Sequence, residues 1–479
     1  MDATLSAWCD KAEELRVAIG DEYWKMNVGL PYSKEKLAQL EKANGAHASV
    51  FLKDFNEPKS LVLDAVESVG SERTHELYLK LHDLRKSDII SKKQKFNGKP
   101  VNWATWRQFV SSASDKQRKE VFDEFIGLTN KITPIIKQRF DTIVKTYKEH
   151  NLDPLQSYCD DHRMSLRCLK DTMHHLGDGV RHAFDRDWKH YTQELLMRDP
   201  RNYDDFYYMR NAIFSKMPHI SINPLSGVLN TAKELGFDTT KIILDKEDRP
   251  DKYASPFCSF VKVPTDVRVS YKPEKPINDM HSIYHEYGHA LHATTIRNDL
   301  PYWTKYVTSN GLNETFSTLF EDLTHDAEYL HKKIGIASKD ADDIVERIRF
   351  MRLYAVAFYA ANSLFRIETW EKKLPFDDWD KRYAHHIKEC MGIDMPGNYW
   401  QLHHILPESV MYVPSYLLAE IRAAEISKEA KDDFGRHWWQ EKASGIYIKN
   451  LMKDGSDSEA GTFEGIDPKP FIEELVKRV

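Results

Sequence analysis

The stretch His285-Glu286-Tyr287-Gly288-His289 carries two histidines four positions apart. Residues at this spacing lie one turn apart on the same face of an α-helix, so both imidazoles can bind one metal ion. Glu286 projects about 100° away from His285 around the helix axis and reaches the open side of the metal, where a water would sit. The stretch therefore predicts two zinc ligands and a general base, which is typical of zinc hydrolases and most often of metallopeptidases.

The helix that carries this stretch is predicted to begin near Asn278 and to end at about Ile296. His292 lies three positions past His289 in the same helix. We expect its side chain to face solvent or to lie behind the metal ligands.

A third zinc ligand is predicted on a second helix over residues 313–322, after Asn310-Gly311. Zinc in a hydrolytic site usually takes three protein ligands and keeps one position open. Glu314 lies in the first turn of this helix and is predicted to be the third ligand. Glu321, seven positions later on the same side, is predicted to accept a hydrogen bond from a ligand histidine, or else to be a solvated surface charge.

Residues 257–271 differ from the rest because β-branched and aromatic residues alternate with polar ones, and Pro264-Thr265 marks a turn. This pattern predicts a small β-hairpin directly before the metal-binding stretch. A strand beside a peptidase zinc site commonly pairs with substrate backbone, although an ordinary structural hairpin is the alternative. Arg268 in this hairpin is either a substrate clamp or a partner of Asp266.

Composition favours a large helical protein over a β-sandwich. The 479 residues are 30% charged and 41% apolar with a net charge of −6, and glycine and proline, at 20 each, are few. No basic patch indicates nucleic-acid binding, and no apolar run approaches the roughly 20 residues that span a bilayer. There is no signal-peptide pattern, and the five cysteines are widely spaced, so we expect a cytoplasmic protein without disulfides.

The helical pattern extends through most of the chain. Residues 34–56 follow a predicted N-cap at Ser33, and residues 115–149 follow a capping box of Ser114 and Gln117, with a kink expected at Pro134. The predicted fold class is mainly α, a large helical two-lobed body around a deep substrate cleft. We predict a mainly helical lobe over 1–240, integrated with a catalytic region over 241–479.

Residues 250–475 resemble the carboxypeptidase Taq family of zinc metallopeptidases, with matching order and spacing of several blocks. The chain is more loosely similar to the thimet oligopeptidase and oligoendopeptidase F family, which the region from Asn102-Trp103 to Ser165 resembles more. The blocks that carry the first resemblance are Ser255-Pro256-Phe257, Asp266 to Ser270, His285 to His292, Gly311 to Asp322, Gln401 to His404, Tyr412 to Tyr416 and Asp467 to Phe471.

The resemblance implies further site residues. Tyr412, then Tyr416 and His404, are expected to donate hydrogen bonds to the tetrahedral oxyanion, because the family counterpart of their segment closes over the cleft. For each tyrosine the alternative is a core aromatic residue.

A carboxypeptidase also needs an arginine that binds the free C-terminal carboxylate of its substrate. Arg268, Arg349 and Arg352 are the candidates, and Arg349 and Arg352 stand near the remnant of a family block. The alternative for each is a scaffold or surface arginine.

Three functions stay open from the sequence. The first is a Zn²⁺-dependent carboxypeptidase that trims short peptides and, by resemblance, forms a homodimer. The second is an oligoendopeptidase with the same chemistry and internal cleavage. The third is a catalytically inactive, peptide-binding scaffold protein, against which the intact ligand set and base argue.

Overall fold

The computed structural model describes residues 3–87, 89–102, 105–204, 222–249, 251–253, 255–273, 276–403 and 405–477. The described residues are 72% helical with a few small sheets, so the predicted mainly-α fold class is confirmed. His404 lies outside the described residues. Across the described ranges, no helix combines the length and apolar character that crossing a bilayer requires.

The α-helices that the structure describes before residue 240 belong to the first part of the chain. They are Ala3–Asn27, Lys34–Asp54, Lys59–Ser87, Trp106–Ser112, Asp115–Gly127, Thr129–Glu149, Pro154–Asp161, Leu166–Leu196 and Pro224–Glu234.

The second part carries the predicted site on three helices, which we name the motif helix (Pro276–Thr295), the glutamate helix (Asn310–Glu321) and the tyrosine helix (Pro414–Phe434). A long helix (Ser338–Glu371) packs between the two parts. The remaining helices are Tyr302–Tyr306, the short Ala327–Tyr329 with a π-helical turn Leu330–Ile334, Trp379–Met391, Lys442–Met452 and Lys469–Val476.

The N-caps predicted at Ser33 and Ser114 are present, whereas the glutamate helix begins at Asn310, three residues before its predicted start, so Glu314 lies in its second turn and not in its first. The Ser33 hydroxyl accepts a hydrogen bond from the Lys36 backbone N–H, and Ser114 and Gln117 form the expected capping box. The prediction of one kinked helix over 115–149 is wrong, because two helices meet at Leu128. Pro134 lies inside the second of them. A proline has no N–H to donate, and its ring clashes with the carbonyl four positions earlier, here that of Asn130, which also lies inside this helix.

Two small sheets accompany the helices in the described ranges. β1 (Ile89–Phe96) and β2 (Lys99–Asn102) form an antiparallel hairpin. In the second sheet, β3 (Ile242–Asp245) runs parallel to the central β5 (Asp266–Ser270), and β4 (Phe257–Lys262) pairs antiparallel with β5 at the other edge. The predicted hairpin with its turn is therefore confirmed. β1, β2 and β3 were not predicted.

The largest hydrophobic core contains residues from both parts of the chain. The largest buried cluster combines helices that precede residue 200 with the long helix, the tyrosine helix and the C-terminal helix. A second cluster surrounds the motif and glutamate helices and includes Val267 and Val269 of β5. Packing thus fixes the sheet and the motif, glutamate and tyrosine helices relative to one another.

Candidate metal centre and active site

Gly288 allows the motif helix to pack very closely against the glutamate helix. A Cβ atom at this position would lie 2.5 Å from the carbonyl oxygen of Phe316 and 2.6 Å from the Cα of Ser317. Real Cβ atoms do not approach backbone this closely, so only glycine fits between the two histidines. This contact sets the distance between the helix that carries His285 and His289 and the helix that carries Glu314.

The side chains of His285, His289 and Glu314 converge as the sequence predicts. Glu314 Oε2 lies 3.3 Å from His285 Nε2 and 3.6 Å from His289 Nε2. Ligand atoms about 2.0–2.1 Å from a tetrahedral zinc ion are about 3.4 Å apart, so these spacings fit one zinc ion. We call these three residues the inner ligand set.

The electrostatics of the inner ligand set favour a cation. Burial opposes a charge on His285, but the carboxylates of Glu321 and Glu314 outweigh burial and hold its pKa well above the usual value. Glu314 is also buried, yet His289 and His285 lower its pKa to about 2. The carboxylates thus attract positive charge to the space between the imidazoles, which a divalent cation supplies. Donor type, spacing and charge all fit zinc.

Glu286 lies beside the inner ligand set on the side of β4. The backbone N–H of Cys258 in β4 donates a hydrogen bond to its carboxylate. Burial raises the pKa of Glu286 to about 7, with His285 opposing the shift and Glu314 adding to it. The confirmed hairpin therefore positions the residue that the sequence identifies as the general base.

Glu321 accepts hydrogen bonds from two histidines of the motif helix. Its Oε2 lies 2.5 Å from His285 Nδ1, and its Oε1 lies 2.6 Å from His281 Nε2. The first contact fixes the ring of a predicted ligand and leaves Nε2 directed at the inner ligand set. Of the two predicted roles for Glu321, the geometry favours orientation of a ligand over a solvated surface charge.

We expect the Glu321→Gln substitution to weaken zinc binding by about 10–100-fold. A glutamine at this position is neutral and can accept through only one atom, so His285 becomes a weaker and less ordered ligand. Competition titration with a zinc chelator measures the affinity. Unchanged affinity in a folded variant would contradict the orienting role.

Tyr412 and Tyr416 lie at the entrance of the tyrosine helix. The Tyr412 hydroxyl donates to Glu314 Oε1 at 2.6 Å, and its ring contacts that of Tyr416 edge-on at 5.3 Å. Tyr416 also stacks on Tyr359. Burial and the Glu314 carboxylate hold the pKa of Tyr412 well above its usual value, so the phenol keeps its proton. Tyr412 is thus next to the inner ligand set, while the third predicted donor, His404, is outside the described residues.

The segment that leads to Tyr412 is held by donors from the long helix. Arg366 donates to the backbone carbonyl of Leu406 at 2.5 Å, and the Trp370 indole donates to that of Val410 at 3.0 Å. These bonds fix a stretch without regular secondary structure and so help to position the Tyr412 hydroxyl.

Arg268 is paired within the hairpin region. Its guanidinium binds both carboxylate oxygens of Asp266, at 2.7 and 2.6 Å, and contacts Asp21 at 2.9 Å. A bidentate pair of this kind occupies the fork that a substrate carboxylate would need. The structure thus places Arg268 in the second of its two predicted roles.

Arg349 and Arg352 are also engaged with carboxylates. Arg349 is buried and binds Asp187 at 2.5 Å and Glu346 at 2.7 Å. Arg352 binds Glu420 at 2.5 Å and Asp322 at 3.1 Å. The structure does not bring either arginine into contact with the inner ligand set.

His292 is fully buried, so of its two expected positions the one that faces solvent is wrong. Its ring lies 4.6 Å from that of Phe316 at the contact between the motif and glutamate helices. Burial lowers its pKa to about 3, and the imidazole is therefore neutral. His292 lies on the face of the motif helix that packs against the glutamate helix, and it is therefore buried and not exposed.

Sequence reasoning missed His162, which supports the start of the glutamate helix. Its Nε2 accepts a hydrogen bond from the Gly311 backbone N–H at 3.0 Å and also contacts the Ser415 hydroxyl. Burial lowers the pKa of His162 to about 4, so this nitrogen keeps its lone pair. No local pattern could reveal the role, because the partners lie far away in the chain.

His281 and His325 were also missed, although His281 stands four positions before His285 and repeats the spacing of the ligands. With Glu321 these histidines form a second group of potential metal ligands, in which one ligand atom of each residue lies within 4.8 Å of the others.

A family model matches the part of the chain that carries this site. Residues 216–373 match the sequence model of a family described as carboxypeptidase Taq (M32) metallopeptidase. This part contains the inner ligand set, Glu286 and Glu321. The predicted resemblance to Taq-like metallopeptidases is thereby confirmed, and the match supports a peptidase.

A solved structure of PZ peptidase A with inhibitor 2 shares the fold. The TM-score is 0.61 at 13% sequence identity, over 98% of this chain and 83% of that one. At this identity the likeness concerns the fold alone. No curated protein matches the chain.

Proposed function

We propose that this protein is a zinc-dependent metallocarboxypeptidase that hydrolyses short peptides. The observation that carries the proposal is the convergence of His285, His289 and Glu314 at 3.3 and 3.6 Å, with Glu286 beside them. The family match over this region supports the carboxypeptidase type. A cytoplasmic location and a homodimer are further expectations that derive from the sequence and the resemblance.

Glu286 performs the proton transfers in the proposed mechanism. When bound, zinc supplies Lewis acidity that polarises the scissile carbonyl and makes a water more acidic. Glu286 takes a proton from the water as its oxygen forms a bond to the carbonyl carbon, and later gives that proton to the amine nitrogen as the C–N bond breaks. A pKa of about 7 suits both steps, because the carboxyl can accept and release a proton near neutral pH.

The hairpin and the tyrosines complete the proposed mechanism. β4 is an edge strand, and Cys258 within it already contacts Glu286, so a peptide paired along this edge would pass the base. Tyr412 keeps its proton and lies one hydrogen bond from Glu314. It stabilises the tetrahedral oxyanion if its hydroxyl turns from Glu314 to the substrate.

Peptides matched in sequence, with free and with amidated C-termini, test whether the enzyme removes C-terminal residues or cuts internally. Product masses are followed over time with the zinc-loaded enzyme. We expect stepwise loss of C-terminal residues, and at least a tenfold slower cleavage of the amidated peptides, because amidation removes the negative charge that a carboxypeptidase binds.

Internal cuts at equal rates in both peptides would overturn the carboxypeptidase assignment in favour of an oligoendopeptidase. No hydrolysis by zinc-loaded protein would indicate a peptide-binding scaffold. The comparison is informative because the three candidate arginines already form ion pairs with carboxylates. To bind substrate, each would have to leave its partner; they are Arg268, Arg349 and Arg352.

A further inference from the structure

His281 and His325 face each other behind the inner ligand set. His281 Nδ1 lies 3.2 Å from His325 Nε2, and the other nitrogen of each ring contacts a carboxylate. His281 Nε2 lies 2.6 Å from Glu321, and His325 Nδ1 lies 2.9 Å from Asp322. We call His281 and His325 the outer histidine pair.

The positions of the hydrogens on these two rings favour a cation between them. When both carboxyl groups are ionised they can only accept, and the nitrogens that face Glu321 and Asp322 then carry the hydrogens of neutral imidazoles. The two nitrogens that face each other then both present lone pairs at 3.2 Å, an arrangement that is repulsive unless a proton or a metal ion lies between them. Burial and the nearby Arg352 keep the pKa of His325 well below its usual value, which favours the lone pair on its side.

The surroundings carry the charge that a divalent cation would balance. Glu321, Asp322 and Glu420 contribute three formal negative charges, and two positive charges oppose them: Arg352, which contacts the last two, and Lys431, which acts on Asp322. With neutral imidazoles these three negative and two positive charges leave a net formal charge of −1. The side chain of His281 is 34% exposed, whereas that of His325 is 7% exposed, so a cation could enter from the His281 side.

The spacing of the outer histidine pair also fits a metal. Two imidazole nitrogens about 2.0–2.1 Å from a tetrahedral ion are about 3.4 Å apart. Imidazole suits zinc, copper and nickel rather than magnesium or calcium. Glu321 and Asp322 orient these rings from behind, as Glu321 also orients His285.

We propose that His281 Nδ1 and His325 Nε2 form a second binding site for a borderline divalent cation such as zinc. The cation would be linked to the inner ligand set through Glu321, which hydrogen-bonds to a histidine of each site. Two protein ligands hold it, so it binds more weakly than a cation held by three. The inference does not depend on peptidase activity.

Zinc stoichiometry tests the site. The full chain is depleted with a chelator and titrated with Zn²⁺ by equilibrium dialysis. We expect two zinc ions per chain for wild type, the second weaker, and one for each of His281→Asn and His325→Asn. His175→Asn, an exposed histidine of helix Leu166–Leu196, is the matched control and should keep both. Far-UV circular dichroism confirms that each variant is folded.

Each other outcome is decisive. One zinc ion in wild type, or two in both folded variants, would overturn the outer site and indicate a shared proton between the rings. His289→Asn, which removes an inner ligand, should lose the tight ion and retain the weak one. Absence of tight zinc in wild type would instead contradict the proposed function, so the two failures are distinguishable.

Cobalt reports the link between the sites. One equivalent of Co²⁺ is first bound in the inner ligand set. Addition of Zn²⁺ to the outer histidine pair should then shift the visible absorption of the cobalt, because the hydrogen bond between Glu321 and His285 changes. The same addition to His325→Asn should leave the spectrum unchanged. An identical shift in that variant would exclude the coupling.

Discussion

The Glu286→Gln variant is expected to retain zinc and to lose peptide hydrolysis by about 10²–10⁴-fold in kcat/KM. Glutamine keeps the size of the side chain and can still contact the Cys258 backbone, but it cannot take a proton from water. The inner ligand set is untouched, so the Lewis acid is retained while proton transfer is lost. Steady-state kinetics on a short peptide, with zinc content measured on the same sample, checks both halves of the expectation.

Glu247→Gln provides the control for the Glu286 experiment, because Glu247 is exposed and lies outside the motif, glutamate and tyrosine helices. It should leave both turnover and zinc content unchanged. Equal turnover by Glu286→Gln and wild type would show that another group takes the proton. Loss of zinc from Glu286→Gln would show that Glu286 supports the ligands rather than the reaction.

Local spacing was sufficient to predict the centre of the site. The i, i+4 rule placed His285 and His289 on one helix face. Glu314 was identified correctly as the residue that meets them, although it lies in the second turn of its helix and not in the first. Alternation predicted the hairpin of β4 and β5. These inferences succeed because the relevant geometry is that of single elements, which the sequence of each element determines.

Side-chain pairing across the fold could not be predicted. Arg349 meets Asp187, 162 positions earlier, and Tyr412 meets Glu314, 98 positions earlier. A charged residue in a helix looks the same in sequence whether its partner is a substrate or a distant carboxylate. The predicted roles of the arginines therefore had two open alternatives until the packing was known.

The sequence contains a signal for the β1–β2 hairpin but only a weak one for β3. Asn97-Gly98 is the pair that favours a tight hairpin turn, and both residues have positive φ, 51° and 77°, between β1 and β2. β3 is only four residues long and gains its pairing from the distant β5, so tertiary contact rather than propensity determines it.

The Gly288→Ala substitution is expected to disrupt the metal centre more than its size suggests. The added methyl group would meet the backbone of Phe316 and Ser317, which cannot move aside as a flexible side chain could. The motif and glutamate helices must therefore separate, at a cost of about 1–3 kcal/mol in the free energy of unfolding. Separation also moves Glu314 away from His285 and His289.

We expect Gly288→Ala to lower the melting temperature, to reduce zinc affinity sharply and to reduce hydrolysis in proportion to zinc loss. Thermal unfolding followed by circular dichroism and zinc titration measure the two effects separately. Excess zinc should recover part of the activity, since the chemical groups remain and only their spacing is changed.

Gly70→Ala is the matched control for Gly288→Ala. Gly70 is also inside a helix, Lys59–Ser87, but a Cβ there meets nothing within 4 Å. Alanine is the better helix former, so this variant should be about 0.5–1 kcal/mol more stable and should bind zinc normally. If Gly288→Ala behaved like Gly70→Ala, the close backbone contact would not be what sets the spacing of the ligands, and the glycine between the two histidines would need another explanation.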